Sequence, residues 1–208
     1  MSILNKLATA LNRRDEVPNQ ELARQLAAKS DQQAVKELVD NLSNKSRDIQ
    51  NDCIKVIYEI GELKPALIAP YAKNFLGLLN SKNNRLQWGA MAALDKMTAE
   101  DPKLIYTSLP QIMDACNAGS VITRDNGVNI LIRLCAIKAY AANASGLLME
   151  QLMNCPVNQV PMYAERAMPI INEKNKKTFI QTLSSRLKDI EKETGKKRVE
   201  KIIKKLLP

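Results

Sequence analysis

SKNNRLQWGAMAALDKMTAEDP, residues 81–102, decides the fold because its pattern recurs. Set it below NKSRDIQNDCIKVIYEIGELKP (44–65) and above GSVITRDNGVNILIRLCAIKAY (119–140), and the apolar positions coincide at offsets of 37 and 38 residues. Cys53, Ala90 and Val128 align, as do Val56, Ala93 and Leu131, then Ile57, Leu94 and Ile132, then Ile60, Met97 and Cys135. Within each copy these positions stand at i, i+3, i+4 and i+7, which is one face of an α-helix. A fainter fourth copy, offset by 36, brings Ala164, Ala167, Met168 and Ile171 into the same places.

Working outward, the segments between these helices carry the same period. Val35, Leu38, Val39 and Leu42 form one stripe, and Leu67, Ile68, Tyr71, Phe75 and Leu79 a second; Ile105, Leu109, Ile112 and Cys116 form a third, and Leu147, Leu148, Gln151 and Leu152 a fourth. Each unit thus reads as helix, short turn, helix. Lys64-Pro65 and Asp101-Pro102 suit helix starts, since proline at the first helical position gives up no needed donor. No stretch alternates cleanly between apolar and polar residues, so strands are not expected. One helical pair cannot bury its stripe alone; pairs have to stack on neighbours.

At this level the sequence resembles the HEAT/armadillo-like α-solenoid families. LIAPYAKNFLGLLNSKNNRLQWGAMAAL (67–94) is similar to a HEAT unit, with a proline early in the first helix, a leucine-rich stripe, a polar turn and an alanine-rich second helix. Pro110 repeats the first of these marks. The resemblance covers roughly residues 31–173. It implies an all-α fold, a right-handed α-α superhelix of about five helical pairs, read as a single domain over 1–208. Residues 1–30 would cap its start, and 174–208 would form basic capping helices at its end, a long helix being followed at Gly195 by a second. Where these families usually place arginine early in the second helix, this chain has Gln50, Gln87 and Asp125, so a stacked Asp/Arg ladder is not expected.

Composition removes most chemistry. There is no histidine, which excludes the usual general base, the usual zinc ligand set and every His-dependent triad. Cys53, Cys116, Cys135 and Cys155 form no C-x-x-C pair, and three of them fall on apolar stripes, so reduced, buried thiols are expected rather than a metal site. No nucleophile or phosphate-loop signature occurs. Catalytic residues, metal and cofactor are accordingly expected to be absent. No run of about 18 apolar residues predicts a membrane span. The N-terminal stretch lacks the features of a secretory signal, although its weakly basic amphipathic pattern leaves organelle targeting open. The simpler expectation is a cytoplasmic protein.

Trp88 is the only tryptophan. At 100° per residue it lies about 160° from the centre of the apolar stripe, and its equivalents in the flanking copies are Asn51 and Asn126. It is therefore predicted to face away from the stripe, on a surface shared with Tyr58, Arg85, Asp95, Arg133 and Arg166. In solenoids resembling this one the second helices line the concave face, so these six residues are the candidate binding surface for a protein or peptide partner. Two readings stay open for Trp88: an interface anchor, or an aromatic lying over Arg85 or the next helix. Trp88, Asp95 and Arg133 also resemble, loosely, the Trp, Asp and Arg that HEAT-like alkylpurine DNA glycosylases set around a damaged nucleotide. The functional expectation is a non-enzymatic binding or scaffold module, with a nucleic-acid-binding solenoid, possibly glycosylase-related, as the alternative.

The formal charge of +9 is concentrated at one end. Residues 1–173 hold 19 basic against 18 acidic side chains, and residues 174–208 hold 12 against 4. Lys196, Lys197, Arg198, Lys201, Lys204 and Lys205 surround a narrow stripe of Val199, Ile202, Ile203 and Leu206. This is either a solvated cap or a patch for polyanions, nucleic acid among them.

Overall fold

The computed structural model describes residues 2–207, and all regular structure among them is helical. The chain packs as two compact units, one up to Gly127 and one from Val128 onward. In the first, a 3-10 turn at Ile3–Lys6 precedes α1 (Val17–Lys29), α2 (Gln32–Asp40) and α3 (Arg47–Leu63). Local chemistry sets these limits. Pro18 sits in the first turn of α1, where its missing N–H costs nothing, and Ser30 ends that helix in the left-handed region at φ 53. Asp31 then caps α2 by accepting from Ala34 N–H at 3.0 Å, and Ser46 caps α3 through Ile49 N–H.

The first helices of the second and third expected pairs are not continuous, whereas that of the first, α2, is. Residues 65–77 fold as two 3-10 turns, Pro65–Leu67 and Ala69–Tyr71, leading into the six-residue α4 (Ala72–Gly77). After α5 (Asn84–Met97), residues 102–118 divide into α6 (Pro102–Thr107) and α7 (Leu109–Ala118). The breaks follow Pro70 and Pro110, which lack the N–H that would continue the ladder and disfavour helical backbone in the preceding residue. Asp101 starts α6 as expected, accepting from Leu104 N–H at 3.0 Å. In α8 (Val121–Cys135) the boundary between the units falls at Gly127.

The repeated stripe is the core. Cys53, Val56, Ile57 and Ile60 of α3 are fully buried, as are Ala90, Ala93, Leu94 and Met97 of α5. Val35, Leu38, Phe75, Leu79, Ile105, Ile112 and Cys116 fill the opposing side. α3 packs between α1 and α5, and glycine permits the approach: a Cβ on Gly89 would lie 2.6 Å from Ile54 Cγ1, and one on Gly127 would lie 2.0 Å from Cys116 Sγ.

A polar tether recurs one turn into the second helices. Gln50 donates to Asn44 O at 2.7 Å, Gln87 to Leu79 O at 2.7 Å, and Arg124 to Cys116 O at 3.2 Å. Each satisfies a carbonyl left without a helical partner. In the third copy the tether is Arg124 rather than the aligned Asp125.

The second unit contains α9 (Ala141–Asn154), α10 (Val160–Ala167), α11 (Lys176–Leu187) and α12 (Glu193–Leu206). Val128 and Leu131 are buried, whereas Ile132 and Cys135 are half-exposed. The fourth copy is faint because it is short: Ala164 and Ala167 are buried in α10, after which Met168–Ile170 tightens into a 3-10 turn at Pro169. Arg186 of α11 is buried and donates to Met153 O and Cys155 O, closing the C-terminal end of α9. Gly195 does not separate two helices as the sequence suggested. It lies inside α12, where a Cβ would stand 3.2 Å from Ile190 Cγ2, and the break falls instead at 188–192.

Candidate binding surface

Three elements of the first unit build one cluster. Helix α3 presents Lys55, Tyr58 and Glu59, α5 presents Arg85 and Trp88, and Glu16 enters from the residue before α1. Lys55 Nζ lies 2.7 Å from Glu16 Oε2 and 2.7 Å from Glu59 Oε1, and Arg85 pairs with the other oxygen of Glu16. Lys55 also sits 5.0 Å from the centre of the Tyr58 ring, and the Arg85 guanidinium 5.5 Å from that of Trp88. The two rings are 5.5 Å apart and inclined at 48°, within the range of favourable tilted pairs. Tyr58 and Trp88 are both half-buried. Trp88 thus lies over Arg85 and against the neighbouring helix while keeping part of its ring in solvent.

The ion pairs set the electrostatics. The hydrogen bond from Lys55 holds the Glu16 carboxyl below the usual carboxylate range against the opposing effect of burial, and Arg85 adds to it. Burial would lower the Lys55 ammonium, but its bonds to Glu16 and Glu59 outweigh that and raise it. Burial pushes the Tyr58 phenol up. Lys55, which helical angle puts on the face away from the stripe, is only 5% exposed; its charge is consumed inside the cluster.

Beside the cluster opens a polar cavity of about 640 Å³, lined by Asn12, Arg14, Asp48, Asn51, Asp52 and Arg85 among others. Its floor is ordered by hydrogen bonds. Asp52 accepts from Thr9 N–H at 2.8 Å and from Asn19 at 2.7 Å, and Asn83 donates to both Gln50 and Asn51 at 3.0 Å. Sequence reasoning missed Glu16 and Asn19, since no periodicity links the N-terminal segment to α3 and α5, and it missed Asp52 of α3, whose partners Thr9 and Asn19 come from that segment.

The other expected site residues are placed as follows. Asp95 is fully buried, with Lys96 Nζ 3.7 Å from its carboxylate; the expectation that it faces solvent is corrected. Ala92 and Ile130, which the same helical angle also puts on the face away from the stripe, are buried too. Packing explains the error: the face opposite the stripe is itself partly covered, so angle from the stripe does not measure exposure. In the second unit Arg133 is exposed, and the exposed Arg166 donates to Asn129 Oδ1 at 3.3 Å. On α12, Arg198 forms a two-pronged pair with Glu165 at 2.7 and 2.6 Å. Lys197, Lys201, Lys204 and Lys205 are exposed and Lys196 is half-exposed.

None of the four cysteines is in a disulfide. Burial pushes Cys53 and Cys116 up to about 12 and Cys135 up to about 11, so these three are not set up as reactive thiolates.

No protein-family model and no curated protein matches the chain. Solved structures do. A designed armadillo repeat protein in complex with the peptide (KR)4 superposes with a TM-score of 0.65 at 16% identity, over 99% of this chain and 100% of that one. A second designed armadillo repeat protein gives 0.60 at 17% identity, over 98% and 100%. An engineered protein gives 0.61 at 18% identity, over 99% of both. With the all-helical architecture, these likenesses show a HEAT/armadillo-like α-α solenoid fold. Among the described residues no helix is long and apolar enough to cross a membrane.

Proposed function

We propose that the chain is a non-enzymatic, cytoplasmic binding scaffold that recognises a protein or peptide through the face bearing Tyr58, Arg85 and Trp88. The observation that carries this reading is the aromatic pair. Both rings are partly open to solvent, yet they are held by each other and by cations that are themselves anchored on Glu16. A surface whose large side chains are already immobilised loses little entropy on binding. The adjoining polar cavity offers Asn51 and Asp48 to main-chain and side-chain groups of a ligand. That a structural neighbour is complexed with a peptide supports the same use of the fold, and the designed armadillo neighbours are repeat scaffolds rather than enzymes. The glycosylase reading is disfavoured by the burial of Asp95, which leaves no open carboxylate beside Trp88 at the position that reading needs.

The test is selection from a displayed random-peptide library on the full chain, followed by counter-selection on Trp88→Ala. Peptides enriched on the first and lost on the second are expected. Enrichment that survives Trp88→Ala and Tyr58→Ala together would place recognition elsewhere.

A further inference from the structure

The geometry points to a membrane-docking surface on the second unit: the place where the first turns of α11 meet the end of α12 binds anionic phospholipid bilayers. The two helices pack together, and Lys176, Lys177 and Ile180 of α11 line a cleft of about 310 Å³ with Leu206 and Leu207. Glu173 and Gln181 complete the lining, so the cationic start of α11 borders an apolar cleft that the two leucines at the end of α12 close. Leu207 is 52% exposed at its edge.

The lysines are available as well as numerous. Val199 and Ile202 bury one side of α12, and Lys201, Lys204 and Lys205 lie off that side, exposed. Lys204 and Lys205 stand immediately before the two leucines. Lys176 and Lys197 have only long pairs, at 3.5 Å to Glu173 and 3.7 Å to Glu193. Lys177, Lys201, Lys204 and Lys205 are exposed and make no ion pair among the described residues.

The choice of lipid over nucleic acid rests on what accompanies the charge. The one arginine on α12 is taken by Glu165, and Phe179 of α11, the one aromatic on these two helices, is fully buried, so neither forked phosphate contacts nor base stacking are on offer there. Exposed leucine contributes nothing to a polyanion. At the headgroup boundary of a bilayer it is favourable, and flanking lysines are drawn to anionic headgroups. This surface is independent of the Tyr58 and Trp88 face.

The experiment is co-sedimentation of the full chain with vesicles of phosphatidylcholine alone and with phosphatidylserine added, repeated across salt concentrations. Binding is expected only with phosphatidylserine and should weaken with salt. Each lysine near the surface is worth about fivefold in affinity, so Lys204→Gln with Lys205→Gln should lose on the order of 25-fold. Leu207→Gln should weaken vesicle binding while leaving duplex DNA and polyglutamate binding unchanged. All three positions are exposed, and circular dichroism checks that the variants remain folded. No binding to phosphatidylserine vesicles at low salt overturns the proposal. So does indifference to Leu207→Gln, or tighter binding to duplex DNA or polyglutamate than to the vesicles.

Discussion

Lys55 and Arg85 in the first unit and the lysines of α12 in the second are all cations on amphipathic helices, yet they do opposite things. Lys55 is almost completely enclosed, held by two carboxylates and placed against Tyr58. Arg85 is tied to Glu16 and lies over Trp88. Their charge is spent on fixing the Tyr58–Trp88 pair. On α12 only Arg198 is spent in this way, and Lys196, Lys201, Lys204 and Lys205 make no ion pair among the described residues. Formal charge therefore says little about a surface until the carboxylates that reach it are known. Here the decisive one, Glu16, lies 39 residues before Lys55 in the chain.

The contrast can be broken most directly through stability. The benchmark is Leu94→Ala on the buried stripe, expected to cost ~2 to 5 kcal/mol in denaturant melts. Lys55→Ala should cost about 2 kcal/mol, below the ~3 to 5 kcal/mol typical of splitting a fully buried pair, because both of its carboxylate partners keep access to water. Lys201→Ala should stay within about 0.5 kcal/mol of wild type. Equal losses at Lys55 and Lys201 would show that the two regions do not differ in the way described.

Much of the fold was legible because burial of a stripe is a property of spacing. The positions from Cys53 to Ile60 and from Ala90 to Met97 were readable from a 37-residue offset, and all eight are buried. The interruptions at Pro70 and Pro110 were visible as residues, but their effect depends on whether packing can hold a kinked helix together. The site was less legible. Tyr58, Arg85 and Trp88 were found by their angle from the stripe. The same angle misplaces Asp95 and Ile130, since it carries no information on which neighbours cover the far side. Glu16 and Asn19 carry no periodic signal and reach the site only through the folded N-terminal segment, and Asp52 of α3 is tied to the site by Thr9 and Asn19 from that same segment.

Trp88→Ala sharpens the comparison from the other side. It removes a tilted aromatic pair worth ~0.5 to 1.5 kcal/mol and a cation contact worth ~0.5 to 1 kcal/mol, so its cost should fall clearly below that of Leu94→Ala in the same melts. A smaller effect is expected from pH. Because the folded-state Glu16 carboxyl is held below its ordinary value, its contribution is present above the ordinary carboxylate range and is lost as pH falls through the lowered value. Glu16→Gln should therefore be less stable than wild type near neutrality, and the gap should narrow progressively as pH falls below the ordinary carboxylate range. A gap that persists into acid would assign the difference to packing rather than to the ion pairs.

The central claim is that the Tyr58–Trp88 face recognises a peptide, and calorimetric titration of a library-selected peptide tests it most directly. With wild type and Trp88→Ala titrated in parallel, the variant should lose roughly 30-fold or more in affinity, the ~2 kcal/mol typical of an aromatic hot spot, while remaining folded. Equal affinity for both proteins would contradict it.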